Sequence, residues 1–397
     1  RPDEQGEIES LEPARFADVT WNYTEAEKIE LADTENTTAS WNESEENALA
    51  ALGFSAALKG WKLTCLSGLS DADIETLLGF DRTVWEPLEA EHPDLVCFVQ
   101  EQNGPAVSRT LPQEVIRAFA DLTIAGQPNR LSPNRVDWQI IYRTAENCRK
   151  PRTEETRCDY GDKPFFAHPR VPLTAADIIR RRRSATAFDP DGSIDQESFF
   201  ALLDKTLPRN LCPPFDVELG AAAVHLLLFV HNIPPLARGL YFFCRTTEDL
   251  QALRNAFRPD FLWEPVTDDL PLYLLERGDV RHKAIEVSCH QEIAGFSAFS
   301  LGMIARFGET LRSTPYRYRH LFWEAGMVGQ VLYLEAEAQA IREVLDREIR
   351  RSGRNRTIAC SVPSTVRFGA RTSSISGAIL ARGATACRTS TASQASG

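Results

Sequence analysis

Polar and acidic side chains dominate the first 46 residues, with little periodicity. The pattern changes at Asn47. Asn47-Ala48-Leu49-Ala50-Ala51-Leu52-Gly53-Phe54 is almost entirely apolar or small and predicts a buried helix reaching Leu58. Trp61 to Leu66 predicts a short strand. Ser70-Asp71-Ala72-Asp73 has capping-box spacing, which predicts a helix that stops at Leu77-Leu78-Gly79. A second strand is predicted over His92 to Val99, and a helix over Gln113 to Leu122. Pro, Asn, Arg and Thr surround that helix between residues 101 and 170, a linker-like composition.

A second globular region is predicted from Pro172. Thr174-Ala175-Ala176-Asp177 again has the spacing of a helix start, and the helix runs into Arg180-Arg181-Arg182-Arg183. A turn at Asp189-Pro190-Asp191-Gly192 precedes an amphipathic helix carrying Phe199, Phe200, Leu202 and Leu203. Val224 to Val230 and Gly239 to Cys244 read as strands, joined by a loop with Pro234-Pro235 into a hairpin-like pair. Glu324 to Ala336 reads as a long buried helix. Gly326 and Gly329 cost helix propensity there, which predicts that another backbone packs closely against them. After Glu348 the pattern breaks down. Residues 349–397 contain no Asp or Glu and are dominated by Arg, Ser, Thr, Ala and Gly, so no fold is expected of them. The same composition fits an out-of-frame reading of a GC-rich gene, which resequencing across the codons for residues 335–350 tests.

Composition narrows the function classes. The 397-residue chain is 43% hydrophobic and 25% charged, ordinary for a globular protein. A net charge of −12 argues against general nucleic-acid binding. Val224 to Val230, the longest apolar run, is too short to span a membrane. No secretory signal is visible at the acidic start. Nine scattered cysteines without a CxxC pair fit a reducing compartment. A cytoplasmic protein is the expectation.

Arg182-Arg183-Ser184 carries the clearest chemistry. Arginines at a helix end sit favourably at the negative pole of its dipole. The sharper reading is a phosphate anchor, because guanidinium forks bind phosphate oxygens bidentately and a hydroxyl adds a neutral donor. Cys289-His290-Gln291-Glu292 lacks the further ligands that zinc needs, so no metal is expected. There is no P-loop and no GxGxxG.

The order of helix, Arg-Arg-Ser, Phe188-Asp189, turn and amphipathic helix resembles the opening segment of nitroreductase-fold flavoenzymes. Leu236-Ala237-Arg238-Gly239-Leu240-Tyr241 is similar to that family's Gly-Leu-Tyr strand entry. Glu324-Ala325-Gly326-x-x-Gly329-Gln330 is similar to its central helix. Ser288 to Ala294 and Ala298-Phe299-Ser300-Leu301-Gly302 resemble the SagB/ThcOx-type dehydrogenases. The resemblance spans about residues 165–345.

The resemblance implies an α+β fold: a central, mostly antiparallel sheet flanked by helices, in tandem with a degenerate first copy. It implies an incomplete nitroreductase-like half over residues 1–125 and an FMN-binding domain over 165–348; composition adds a linker over 126–164 and a low-complexity, disordered tail over 349–397. The phosphate of FMN would lie on Arg182, Arg183 and Ser184. Thr186 stands where the family often has Arg or Lys, which weakens one contact. Hydride would pass through flavin N5, with NAD(P)H as a possible donor and a small molecule or a modified peptide as substrate. The catalytic residues are not identified. The first copy would supply the surface that a second subunit gives in homodimeric relatives, making an intrachain pseudo-dimer or a homodimer. Two features depart from the family. No Lys-Tyr dipeptide accompanies Tyr316 and Tyr318, and no glycine-rich strand with a Phe-Asp-Asp turn follows Ile341. These departures keep open a second reading, a non-catalytic scaffold or partner-binding protein that retains the fold without flavin.

Overall fold

The structure is a computed structural model. It describes residues 37–85, 90–104, 110–126, 128, 139–166, 173–182, 192–288, 290–306, 312–339, 365–368 and 378–382. The chain begins with helix α1 (Thr37–Leu58), strand β1 (Trp61–Cys65), helix α2 (Asp71–Leu78), strand β2 (Cys97–Glu101), and helices α3 (Gln113–Ala120) and α4 (Gln139–Asn147). Helices α5 (Ala175–Arg181) and α6 (Gln196–Lys205) lead into β3 (Val224–Val230) and β4 (Gly239–Phe243). Then come α7 (Thr247–Ala256), β5 (Glu264–Pro265), β6 (Leu272–Arg277), α8 (Arg281–Val287), β7 (Phe299–Arg306) and the 22-residue helix α9 (Arg317–Ala338).

Seven strands form one antiparallel sheet in the order β5-β6-β4-β3-β7-β9-β8. Its last two members are β8 (Thr365–Phe368) and β9 (Ala378–Arg382), both from the stretch expected to have no fold. Strand β9 pairs with β7 at Ile304↔Leu380 and with β8 at Leu380↔Arg367, which leaves β8 at the edge. The rest of residues 349–397 lies outside the described residues.

Strand β3 is buried along its whole length, and the two-residue period of a strand divides it between two cores. Leu226, Leu228 and Val230 join Tyr241 and Phe243 against Leu49 of α1, Leu202 of α6 and Val328 of α9. Leu227 and Phe229 join Phe242 against Leu253 of α7 and Ala284 of α8. Helices therefore cover both faces, and a run without visible alternation is read by the fold as alternating. Gly239 has a steric reason in this sheet: a Cβ there would stand 2.2 Å from the Glu276 carbonyl oxygen, so no side chain fits between β4 and β6.

Local signals are realised closely at α2. Ser70 accepts the Asp73 N–H at 3.0 Å, and Asp73 accepts the Ser70 N–H at 2.9 Å. Gly79 closes the helix in the left-handed region at φ 75°. The strand expected over His92 to Val99 starts five residues later, at Cys97. Pro93 has no N–H to give a ladder, and its carbonyl instead accepts a bond from Arg319. Helix α4 has no counterpart among the sequence expectations. After it, Lys150 is pinned to α2 by mutual bonds with Asp71 and by its ammonium on the Leu69 carbonyl.

Candidate functional site

Helix α9 organises the site. It packs against α1 on one side and reaches α5, α6 and β3 on others. At 3.6 residues per turn, Arg317, His320, Leu321, Glu324 and Met327 fall on one face. Gly326, Gly329 and Tyr333 fall on the opposite one. The two faces hold different chemistry.

On the first face, Glu324 binds helix to sheet. One carboxylate oxygen accepts the N–H groups of Ala223 at 2.9 Å and Val224 at 3.2 Å, at the entry to β3. The other pairs with the Arg245 guanidinium. Arg245 has no exposed side-chain surface. It also donates to the Thr206 carbonyl at 2.8 Å and to the Val224 carbonyl at 2.9 Å. Beside this pair lies a cavity of about 80 Å³. That is well below the roughly 300 Å³ at which small-molecule and cofactor pockets usually begin. Burial, and then the nearby Arg319 and Arg317, hold the His320 imidazole down to about 3, so it is neutral.

The opposite face meets the arginine segment. Helix α5 is capped by Thr174, whose hydroxyl accepts the Asp177 N–H at 3.1 Å, and it ends at Arg182, whose N–H closes on Ile178 at 2.9 Å. Arg182 is thereby carried onto α9, its guanidinium carbon 5.6 Å from the centre of the Tyr333 ring. One turn before Tyr333, buried Gly329 faces open space, since a Cβ placed there would meet nothing within 4 Å. Among the described residues, no backbone of another element therefore stands within 4 Å of that position at Gly329. Arg183, Ser184 and Thr186 lie outside the described residues, so the structure places one of the four expected phosphate ligands. For FMN, the described part fits in one respect: a cation is held over an aromatic ring.

Sequence reading missed Glu324's role. It used the residue only as part of a motif, and its partners Arg245 and Ala223 stand 79 and 101 positions away. It also missed the meeting of α2 with α9, where Arg319 pairs with Asp71 at 2.5 Å. Near that contact, burial pushes the Asp94 carboxyl up to about 6, against the pull of Arg319. Of the two tyrosines expected before the central helix, Tyr318 lies inside it and Tyr316 caps it. Burial pushes the Tyr318 hydroxyl well above its ordinary value. Lys150 stands 5.2 Å above the Tyr316 ring.

No family model matches the chain, and no curated protein matches it. Among solved structures, it is similar to a crystal structure from Anabaena variabilis that is provisionally assigned as a nitroreductase. The TM-score is 0.50 and the identity 16%, over 75% of this chain and 57% of that one. This chain thus spans little more than half of that protein's length. At such identity the likeness speaks for the fold, which is nitroreductase-like: helices around an antiparallel sheet. No helix among the described residues is long and apolar enough to cross a membrane.

Proposed function

We propose that the protein is an FMN-dependent oxidoreductase of the SagB/ThcOx type, with its flavin phosphate on the segment Arg182 to Thr186. The observation that carries this reading is the placing of Arg182. A helix end delivers its guanidinium onto the central helix of a nitroreductase-like fold, over the Tyr333 ring. In this reading Arg182 binds a phosphate oxygen, and the Tyr333 ring beneath restricts the guanidinium's motion, so less rotamer entropy is lost on binding. Arg183 and Ser184 add donors, and Thr186 adds a hydroxyl in place of a cation. Bound FMN would supply hydride transfer at N5, with NAD(P)H or a small or peptide-derived substrate as the other party. The protein's part is to hold, orient and exclude water.

The test is the visible spectrum of the purified protein, with FMN titration of the apoprotein. Flavin absorbance that is lost in the Arg182→Ala/Ser184→Ala variant supports the assignment. Each charge-assisted contact removed should weaken FMN more than about tenfold. A colourless protein that FMN cannot reconstitute sinks it. That outcome leaves the scaffold reading, which Thr186 and the small size of the cavity on the other face of α9 favour.

A further inference from the structure

We propose that Cys65 and Cys97 form a redox-modification site, two thiols that a small-molecule disulfide converts into one reversible cross-strand bridge. Both are free in the structure, and they stand directly opposite each other on β1 and β2. The hydrogen bonds of that ribbon fix how close they come. The Leu66 N–H donates to the Val96 carbonyl at 2.8 Å, and the Gln102 N–H donates to the Gly60 carbonyl at 2.8 Å. Hydrogen-bonded and non-hydrogen-bonded pairs alternate along an antiparallel ladder. Leu66 and Val96 form a pair of the first kind, so the adjacent Cys65↔Cys97 pair is of the second kind. Opposite Cα atoms in such a pair are about 4.5 Å apart. Disulfides span roughly 4.4–6.8 Å between Cα atoms, so a bridge fits here at the short end of its range. The two thiols are already hydrogen-bond partners.

Access differs between the two sulfurs. Cys97 is partly exposed, while Cys65 is 6% exposed. Cys97 therefore meets the oxidant first. Its thiol gives up a proton, and the thiolate attacks one sulfur of oxidised glutathione. That S–S bond breaks and releases one glutathione, which takes up the proton. Cys65 then loses its proton and displaces the second glutathione from the mixed disulfide, closing the bridge. Two protein thiols are oxidised, and one small disulfide is reduced to two thiols. The Lys150 ammonium lies within electrostatic reach of Cys65 and favours the thiolate that the second step needs. The hydrogen bond with Cys65, and then burial, push the Cys97 thiol well above its ordinary value. The pair therefore reacts slowly at neutral pH and faster as pH rises. The bridge closes the loop from residue 65 to residue 97. That loop carries both acceptors of Arg319, the Asp71 carboxylate and the Pro93 carbonyl. Oxidation thus ties down the segment that anchors the start of α9.

The test uses the purified full chain, first reduced and then equilibrated with oxidised glutathione at mildly alkaline pH. Remaining thiols are alkylated with iodoacetamide in urea, and peptide mass spectrometry locates any bridge. The expected result is a linked Cys65–Cys97 peptide that dithiothreitol separates again. Its rate of formation should rise with pH. Oxidation should also raise the melting temperature by several degrees, because the bridge constrains the unfolded chain. That rise should vanish in Cys97→Ala, a small replacement at a partly exposed position whose folding circular dichroism checks. Alkylation of both Cys65 and Cys97 after equilibration overturns the proposal. So does glutathione that stays on Cys97, or a bridge from either cysteine to another thiol. None of these results depends on whether FMN binds.

Discussion

Replacing Glu324 with alanine removes the only counter-charge that Arg245 has among the described residues, and the cost can be worked from the contacts. The Arg245 side chain has 0% exposure and that of Glu324 12%. Deleting one partner of such a pair strands a charge away from water, which costs about 3–5 kcal/mol. Two backbone donors, Ala223 and Val224, lose their acceptor as well, at about 1–3 kcal/mol each if nothing replaces it. Water entering from the adjoining cavity covers part of that loss. If water offsets about half of that second loss, the expected total is about 4–8 kcal/mol. Urea unfolding at neutral pH measures it as a lowered midpoint with an unchanged slope. Glu324→Gln should fall between wild type and alanine. Its one carbonyl oxygen can face Arg245 or the two N–H groups, and its amide then opposes whichever donors remain. Removing both charges, in Glu324→Leu/Arg245→Met, should cost less than the sum of the single changes. An alanine variant that loses under about 1 kcal/mol, or strict additivity in the pair, would refute the claim that this contact anchors helix α9 to strand β3.

Four more perturbations follow from the structure. Arg209→Ala should cost about 3–5 kcal/mol in the same assay, because Arg209 and Asp204 are each 4% exposed and Arg209 also holds the carbonyls of Lys163 and Pro164. Ser70→Ala should cost about 1 kcal/mol by uncapping α2. The same cap has a pH signature. Burial alone would raise the Asp73 carboxyl, but bonds from Ser70, Arg152 and Gln113 outweigh it and lower it from 3.8 to about 2. Its contribution is complete above pH 3.8 and disappears as pH falls towards 2. Asp216 runs the other way. Burial pushes it from 3.8 up to about 6, so stability declines as pH rises between those values, and Asp216→Asn should flatten that part of the pH–stability curve. Gly329→Ala should stabilise the fold by about 0.5–1 kcal/mol, since the new methyl meets nothing, while lowering FMN affinity if flavin fills that space. Unchanged FMN binding in that variant would remove Gly329 from the site.

Sequence alone determined the local part of this protein. The Ser70–Asp73 box, the stop at Gly79, the apolar run of β3 and the helix through Glu324 are set by residues a few positions apart, and their physics is short-range. The Arg182 segment was legible for the same reason, as a chemical type next to a helix end. Tertiary structure decided which distant groups share a charge. Asp71 meets Arg319 across 248 positions, and Ala223 meets Glu324 across 101. Such pairs leave no periodic trace, because each depends on two elements being packed together first. Tertiary structure also decides what surrounds Gly329. A glycine in a helix signals that something needs room, but only the fold shows what stands around it: among the described residues, a Cβ placed at Gly329 would meet nothing within 4 Å.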